Sequence, residues 1–99
     1  MARLMAIPTR DRGDAVLIVT TREGVILMGF VAATTLRPFF EAPPAMCRCI
    51  EFVERHLDSF ERVLLRKSKK AAYLDDSLAC VEVEPTDLAG IAFTKTHPN

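Results

Sequence analysis

The sequence predicts an α+β domain in which a three- or four-stranded, mainly antiparallel sheet carries one long helix on one face. Three observations predict this class. Two β-branched, apolar runs at residues 15–20 and 25–32 flank a turn sequence that contains Gly24. Residues 46–72 repeat apolar side chains at alternating intervals of three and four, as a helix does. Residues 78–84 alternate apolar and polar side chains, which is typical of a half-buried strand.

Length and net charge predict a single domain in which charged partners could bind only at a local patch. The chain has 99 residues, of which 49% are hydrophobic, and its 13 basic and 13 acidic residues cancel. A chain of this length forms one core, and zero net charge gives no global field toward nucleic acid or membranes. We expect an irregular N-terminal arm at residues 1–14, the domain at residues 15–94 and a frayed tail at residues 95–99.

Turn chemistry places the first elements. The two apolar runs form a β-hairpin because Gly24 reaches the positive φ that a short hairpin loop needs. Thr34 or Thr35 is expected to cap one helical turn, which places Phe39 and Phe40 in the core.

The long helix at residues 46–72 is predicted to bury one stripe of side chains. Its acidic residues come early and its basic residues late, the order that complements the helix dipole. After a polar turn at residues 75–77, residues 78–84 are expected to form an edge strand that Pro85 ends. Residues 91–93 form a short fourth strand or pack loosely. The expected inner stripe is Met46, Ile50, Val53, Leu57, Phe60 and Leu64.

One set of positions carries a family resemblance: residues 25–36, Val53, Phe60, Leu64, Lys67, Val81-Glu82-Val83 and Asp87-Leu88. The order of the predicted elements is a hairpin, a capped turn, a long helix and a late strand. In this order the chain resembles a small family of bacterial proteins that is classified as a domain of unknown function. The resemblance covers residues 15–88, and Leu57 stands where the family pattern has an arginine. It implies a bacterial, cytoplasmic protein and no particular activity.

The cysteines suggest a metal or redox site, which helix geometry disfavours. Cys47 and Cys49 are two residues apart, with Cys80 and His56 as further ligands of such a site. Side chains two apart on a helix point about 200° away from each other, so one zinc ion cannot collect them. Small, partly buried thiols are the simpler interpretation, and no metal or cofactor is predicted.

Catalysis has little support in the sequence. His56 is interpreted as a histidine on the helix flank, because a general base needs a second positioned group. Asp75 and Asp76 are interpreted as turn formers, although they can also bind a cation. A small enzyme that uses His56 with Asp75 or Cys80 is the remaining catalytic alternative. We expect the protein not to be an enzyme.

The hairpin predicts self-association. One helix covers one face of a sheet, but both hairpin strands are apolar on both faces. We therefore predict a non-enzymatic protein that acts by self-association and protein–protein interaction, as a homodimer with an unknown protein partner. The candidate contacts are Ile18, Leu27, Met28 and Phe30.

The alternative function is a nucleic-acid-binding or regulatory module that uses the basic end of the long helix. The helix dipole explains the same charges, and the aromatic residues are needed in the core instead of in a platform for base stacking. The candidate contacts are Arg62, Arg66, Lys67, Lys69 and Lys70, which Arg3, Arg10 and Arg12 of the N-terminal arm extend.

Cysteine use and hydropathy predict a cytoplasmic protein without membrane contact. The three cysteines have no paired spacing, which suits a reducing compartment. The longest apolar run, residues 25–33, is about half of a membrane span. The apolar stretch at the start ends at Pro8, too early for a secretory signal.

Overall fold

The computed structural model describes residues 2–9, 13–22, 24–69, 72–75, 78–89 and 91, and in this part of the chain one five-stranded sheet carries helices on one face. The strands are β1 (Arg3–Thr9), β2 (Gly13–Arg22), β3 (Val25–Ala32), β4 (Ala72–Asp75) and β5 (Leu78–Val83). The helices are α1 (Ala33–Leu36), α2 (Met46–Arg55), α3 (Leu57–Ser68) and α4 (Pro85–Leu88), and a 3-10 turn (Arg37–Phe39) follows α1.

The α+β class is confirmed, but the sheet is mixed. The strand order is β1-β2-β3-β5-β4, and β3 pairs with β5 in parallel while the other neighbours are antiparallel. A parallel pair needs a long crossover, which the segment with α1, α2 and α3 supplies. The prediction of an edge strand at residues 78–84 is wrong, because β5 lies between β3 and β4.

The N-terminal segment is a strand, so the prediction of an irregular arm at residues 1–14 is wrong. Strand β1 pairs along its whole length with β2, from Arg3 opposite Val19 to Thr9 opposite Gly13. Leu4 packs against the core from this strand, and Pro8 is tolerated because β1 is an edge strand. Residues 10–12 and the predicted tail at residues 95–99 lie outside the described residues.

The predicted single helix is two helices that meet at His56. Its φ of −113° and ψ of 29° leave the helical region, and the helical segment ends at Ser68. The His56 amide still donates to the Phe52 and Val53 carbonyls, each at 3.2 Å, and the His56 carbonyl accepts from the Phe60 amide at 3.2 Å. The helix is therefore interrupted at one residue with little loss of hydrogen bonding.

The buried stripe differs from the predicted one. Val53, Phe60 and Leu64 are buried as predicted, whereas Met46, Ile50 and Leu57 are only half-buried. The fully buried side chains of the two helices are Cys49, Phe52, Val53, Phe60, Val63 and Leu64.

An aromatic cluster holds α2, α3 and the 3-10 turn together. The ring of Phe52 lies 5.3 Å from that of Phe39, 5.5 Å from Phe40, 4.8 Å from His56 and 6.3 Å from Phe60, all centroid distances in the range of favourable aromatic contacts. The expected core role of Phe39 and Phe40 is confirmed, since both pack against the core cluster.

The predicted threonine cap is wrong. Helix α1 begins after Ala32, and no side chain caps it. Thr34 and Thr35 both lie inside the helix, and Thr35 is buried.

The end of the chain follows the prediction as far as the structure describes it. Leu78–Val83 is a strand, and Pro85 occupies the first turn of α4, where its missing amide donor costs nothing. The Ile91 amide donates to the Leu88 carbonyl at 3.3 Å, and residues 92 and 93 of the predicted fourth strand lie outside the described residues.

Helix α3 makes its closest approach to the sheet at Gly29, in the central strand β3. A Cβ atom at this position would lie 2.9 Å from Leu64 Cδ1 and 3.2 Å from Leu64 Cγ, closer than carbon atoms pack. Leu64 is fully buried, so its side chain cannot swing into solvent to make room. The absence of a side chain at Gly29 therefore sets the spacing between α3 and the sheet.

We predict that Gly29→Ala lowers the free energy of unfolding by about 1–3 kcal/mol, because the added methyl group overpacks the core. Without this close approach, alanine in a strand would be more stable than glycine by about 0.5–1 kcal/mol. Urea unfolding measures the difference. In a Leu64→Ala background the same substitution should cost nothing or stabilise, and a stabilising Gly29→Ala in the wild-type background would contradict the account.

Candidate functional site

The sheet face turned away from the helices is the largest apolar feature outside the core. Buried side chains of all four described helices, among them Leu36 of α1 and Leu88 of α4, belong to the core on the other face. We call this face, on which none of the described helices packs, the open face. Strand alternation places on it Arg3, Met5 and Ile7 of β1, Ala15, Leu17, Val19 and Thr21 of β2, Ile26, Met28, Phe30 and Ala32 of β3, and Leu78, Cys80 and Glu82 of β5.

The centre of the open face is apolar across three adjacent strands, β1, β2 and β3. Met5, Leu17, Phe30 and Glu82 lie side by side in one row, because each pairs with the next. Phe30 is half-buried and Met5 is 44% exposed, while Leu17 is only 8% exposed between its two larger neighbours.

The next rows extend this apolar surface to both sides. Val19 and Met28 lie between Arg3 and Cys80, and Ile26, which is 41% exposed, lies beside Leu78. Large apolar side chains with this much exposure are unusual on a sheet that is covered on both faces.

The structure divides the four predicted self-association residues between the two faces. Met28 and Phe30 lie on the open face and are half-buried. The prediction for Ile18 and Leu27 is wrong, because their side chains point toward the helices and are 0% and 3% exposed. Neither residue can reach a second molecule.

Sequence reasoning missed the part of the open face that β1 supplies. Met5 and Ile7 lie beside Leu17 and Ala15 of β2. The apolar run before Pro8 was a signal for a strand, but the surrounding arginines and the glycine suggested a loop. With β1 in place, the open face spans four strands instead of the two of the hairpin.

The predicted basic surface is partly neutralised by α4. Lys67 Nζ lies 2.6 Å from Asp87 Oδ2, 3.8 Å from Glu84 Oε1 and 2.5 Å from the Glu82 carbonyl oxygen. Arg66 lies 3.8 Å from Asp87 Oδ1. Two of the five predicted nucleic-acid contacts therefore serve to attach α4 to α3.

The other predicted nucleic-acid contacts do not form one surface in the described structure. Arg62 and Lys69 are exposed on α3 and at its end, and Lys70, like Arg10 and Arg12, lies outside the described residues. Arg3 is on β1 and belongs to the open face. Nucleic-acid binding stays a prediction, and the geometry does not favour it.

Asp87 is the centre of the α4 attachment. Partial burial acts to raise the pKa of Asp87, but hydrogen bonds from Lys67 and from the Glu84 amide, together with the charges of Lys67 and Arg66, hold that pKa below its ordinary value. The same carboxylate accepts the Glu84 amide at 2.8 Å, which completes a capping box at the start of α4.

His56 lines a polar depression that is separate from Cys80, and the side chain of Asp75, its other predicted partner, lies outside the described part of the structure. The depression has a volume of about 370 Å³, and the described residues that line it belong to the α2–α3 junction: Glu54, Arg55, His56, Leu57, Asp58, Ser59 and Arg62. Burial, and then the charge of Arg55, lower the pKa of His56. Cys80 belongs to the open face, on the other side of the sheet from the helices, so it cannot act with His56.

The three thiols also lie apart. Cys47 is exposed on α2, Cys49 is buried in the core and Cys80 is on the open face. Burial, and then the neighbouring Cys47, raise the pKa of Cys49, which disfavours its thiolate form. Among the described residues, no three His, Cys, Asp or Glu side chains are grouped so that they could hold a metal ion.

Comparisons with protein-family models, curated proteins and solved structures found no match to this chain. The resemblance to a bacterial family therefore stays a prediction. Within the described part of the chain, no helix has the length and apolar character to span a membrane.

We predict that Asp87→Asn destabilises the protein at pH 7 by about 1–3 kcal/mol, since Lys67 then loses the carboxylate that lies 2.6 Å from its Nζ atom. A carboxyl group whose pKa is lowered by folding stabilises the protein above its unfolded pKa, and this contribution is lost as the pH falls through the folded pKa. The difference between the wild type and Asp87→Asn should therefore shrink below about pH 4.

Urea unfolding at pH 7 and pH 3 checks this prediction. Glu51→Gln is the control, because the Glu51 side chain is 61% exposed and lies 3.8 Å from Arg48 in an exposed ion pair. A destabilisation by Asp87→Asn that is the same at both pH values would show that the carboxylate charge is not what attaches α4.

Proposed function

We propose that this protein is a non-enzymatic, cytoplasmic protein that acts by self-association: two copies pair through their open faces, and the dimer presents its helical surfaces to a further protein partner. The observation that carries the proposal is the apolar centre of the open face, with Met5, Leu17, Met28 and Phe30 on three adjacent strands.

The size of the open face supports pairing. Four strands spaced about 4.8 Å apart and about eight residues long form a surface of about 19 by 26 Å. Two such surfaces bury about 1,000 Å² together, which is the lower limit for a specific protein interface. The burial of this apolar area supplies the driving force for association.

A second copy fits this surface better than a charged ligand does. Among the residues of β1, β2, β3 and β5 whose side chains the structure describes, Arg3 and Glu82 are the charged members of the open face, and they lie on β1 and β5, on either side of the apolar centre. An apolar centre with a polar rim is the usual composition of a protein interface. A site for a nucleic acid or an acidic protein surface would instead require several positively charged side chains close together.

We predict that the wild-type protein sediments at twice the 11.0 kDa chain mass at micromolar concentration. Phe30→Lys should weaken the dimer by about a hundredfold, because it places a charge in the centre of the interface. Lysine is chosen because Glu82 lies beside Phe30 and can accept it in the monomer.

Sedimentation equilibrium measures both masses, and circular dichroism verifies that the variant is folded. Thr34→Lys is the matched control, since Thr34 is exposed on α1 and the substitution adds the same charge away from the open face. A wild-type protein that is monomeric, or a folded Phe30→Lys protein that dimerises as the wild type does, would contradict the proposal.

A further inference from the structure

We infer that the two copies stack about a two-fold axis that runs parallel to the strands, between β2 and β3, so that Arg3 of each copy lies beside Glu82 of the other. This inference rests on the proposed pairing through the open face. It adds the direction of the symmetry axis and the residues that select it.

The two charges lie on either side of the apolar centre, Arg3 on the edge strand β1 and Glu82 on β5, which β4 flanks. Arg3 pairs with Val19, Val19 with Met28 and Met28 with Cys80, so Arg3 shares a row with Cys80 of β5. Glu82 lies one row further along the same strand, β5. Opposite charges on β1 and β5 make the surface complementary to itself.

Symmetry allows two in-plane axes that keep the strands of stacked sheets aligned. An axis parallel to the strands places β1 of one copy over β5 of the other. Arg3 then approaches Glu82 of the second copy, and the same contact forms twice. An axis perpendicular to the strands places β1 over β1 and β5 over β5, which brings like charges to the same margin. The charges therefore favour the parallel axis.

The apolar side chains of β2 and β3 fit the same axis, while Met5 of β1 comes to lie over Glu82 of the second copy. Rotation about an axis between β2 and β3 places Phe30 over Leu17 of the second copy and Met28 over Val19. Each larger side chain then meets a smaller one, as close packing between sheets requires.

The reach of the charged side chains is sufficient. One row along a strand corresponds to about 6.6 Å, which an arginine side chain spans. Both residues are exposed at the rim, so the pair selects orientation and adds little affinity. The Glu82 carbonyl, which accepts from Lys67, is a backbone group and is retained in any Glu82 variant.

The test is a charge exchange between the two margins, read by sedimentation equilibrium of the full chain. Arg3→Glu and Glu82→Arg should each weaken the dimer by about five- to thirtyfold, since two symmetric pairs become like-charged. The double variant, Arg3→Glu with Glu82→Arg, should return to within about threefold of the wild type.

Matched controls separate the local effect from net charge. Arg55→Glu and Glu54→Arg make the same two charge changes at exposed positions of α2, away from the open face. The inference holds if the single exchanges weaken the dimer more than these controls do and the double exchange restores it.

Two results would overturn the inference while the proposed function stands. In the first, the single exchanges match the controls. In the second, the double exchange is as weak as the single ones, so that Arg3 and Glu82 do not meet. A monomeric wild-type protein would instead overturn the proposed function together with this inference.

Discussion

A single layer of helices can cover only one face of a sheet, and the rest of this structure depends on which face it covers. At the centre of the covered face, Gly29 lets Leu64 pack directly against β3. The aromatic cluster around Phe52 joins α2, α3 and the 3-10 turn into one layer on that side. Hydrophobic burial on this face stabilises the fold, and none of the described helices packs on the other face.

The polar contacts of the helical layer are used for structure. Lys67 and Arg66, the strongest candidates for a basic binding surface, attach α4 through Asp87. His56 interrupts the helical segment between α2 and α3, and its ring packs on Phe52. The charged and titratable side chains of the helices thus hold the helices in place. The apolar open face remains as the best candidate for a binding surface.

Local patterns predicted the elements that local interactions determine. The hairpin with Gly24, the late strand and the turn after Pro85 follow from period-two alternation and turn chemistry. No proline or glycine marks the break at His56, and the helical period of the sequence continues through it, so the sequence predicts one helix there. Strand β1 depends on its partner β2, and the parallel pairing of β3 with β5 depends on the crossover, so neither is visible in a short window.

Two of the four predicted contact residues lie on the open face, for the same reason. Alternation places Met28 and Phe30 on different faces from Leu27, but it does not say which face the helices cover. Which face the helices cover is decided by tertiary packing. Because both faces of the hairpin are apolar, a prediction from sequence includes residues from each.

Isotope-filtered NOE spectroscopy on a mixture of labelled and unlabelled protein tests the central claim most directly, because it detects contacts between copies only. The account predicts intermolecular NOEs from the Met28 methyl group and the Phe30 ring to open-face side chains such as Val19 and Leu17. A sample that shows no intermolecular NOEs from these residues, or shows them only from α2 and α3, would contradict it.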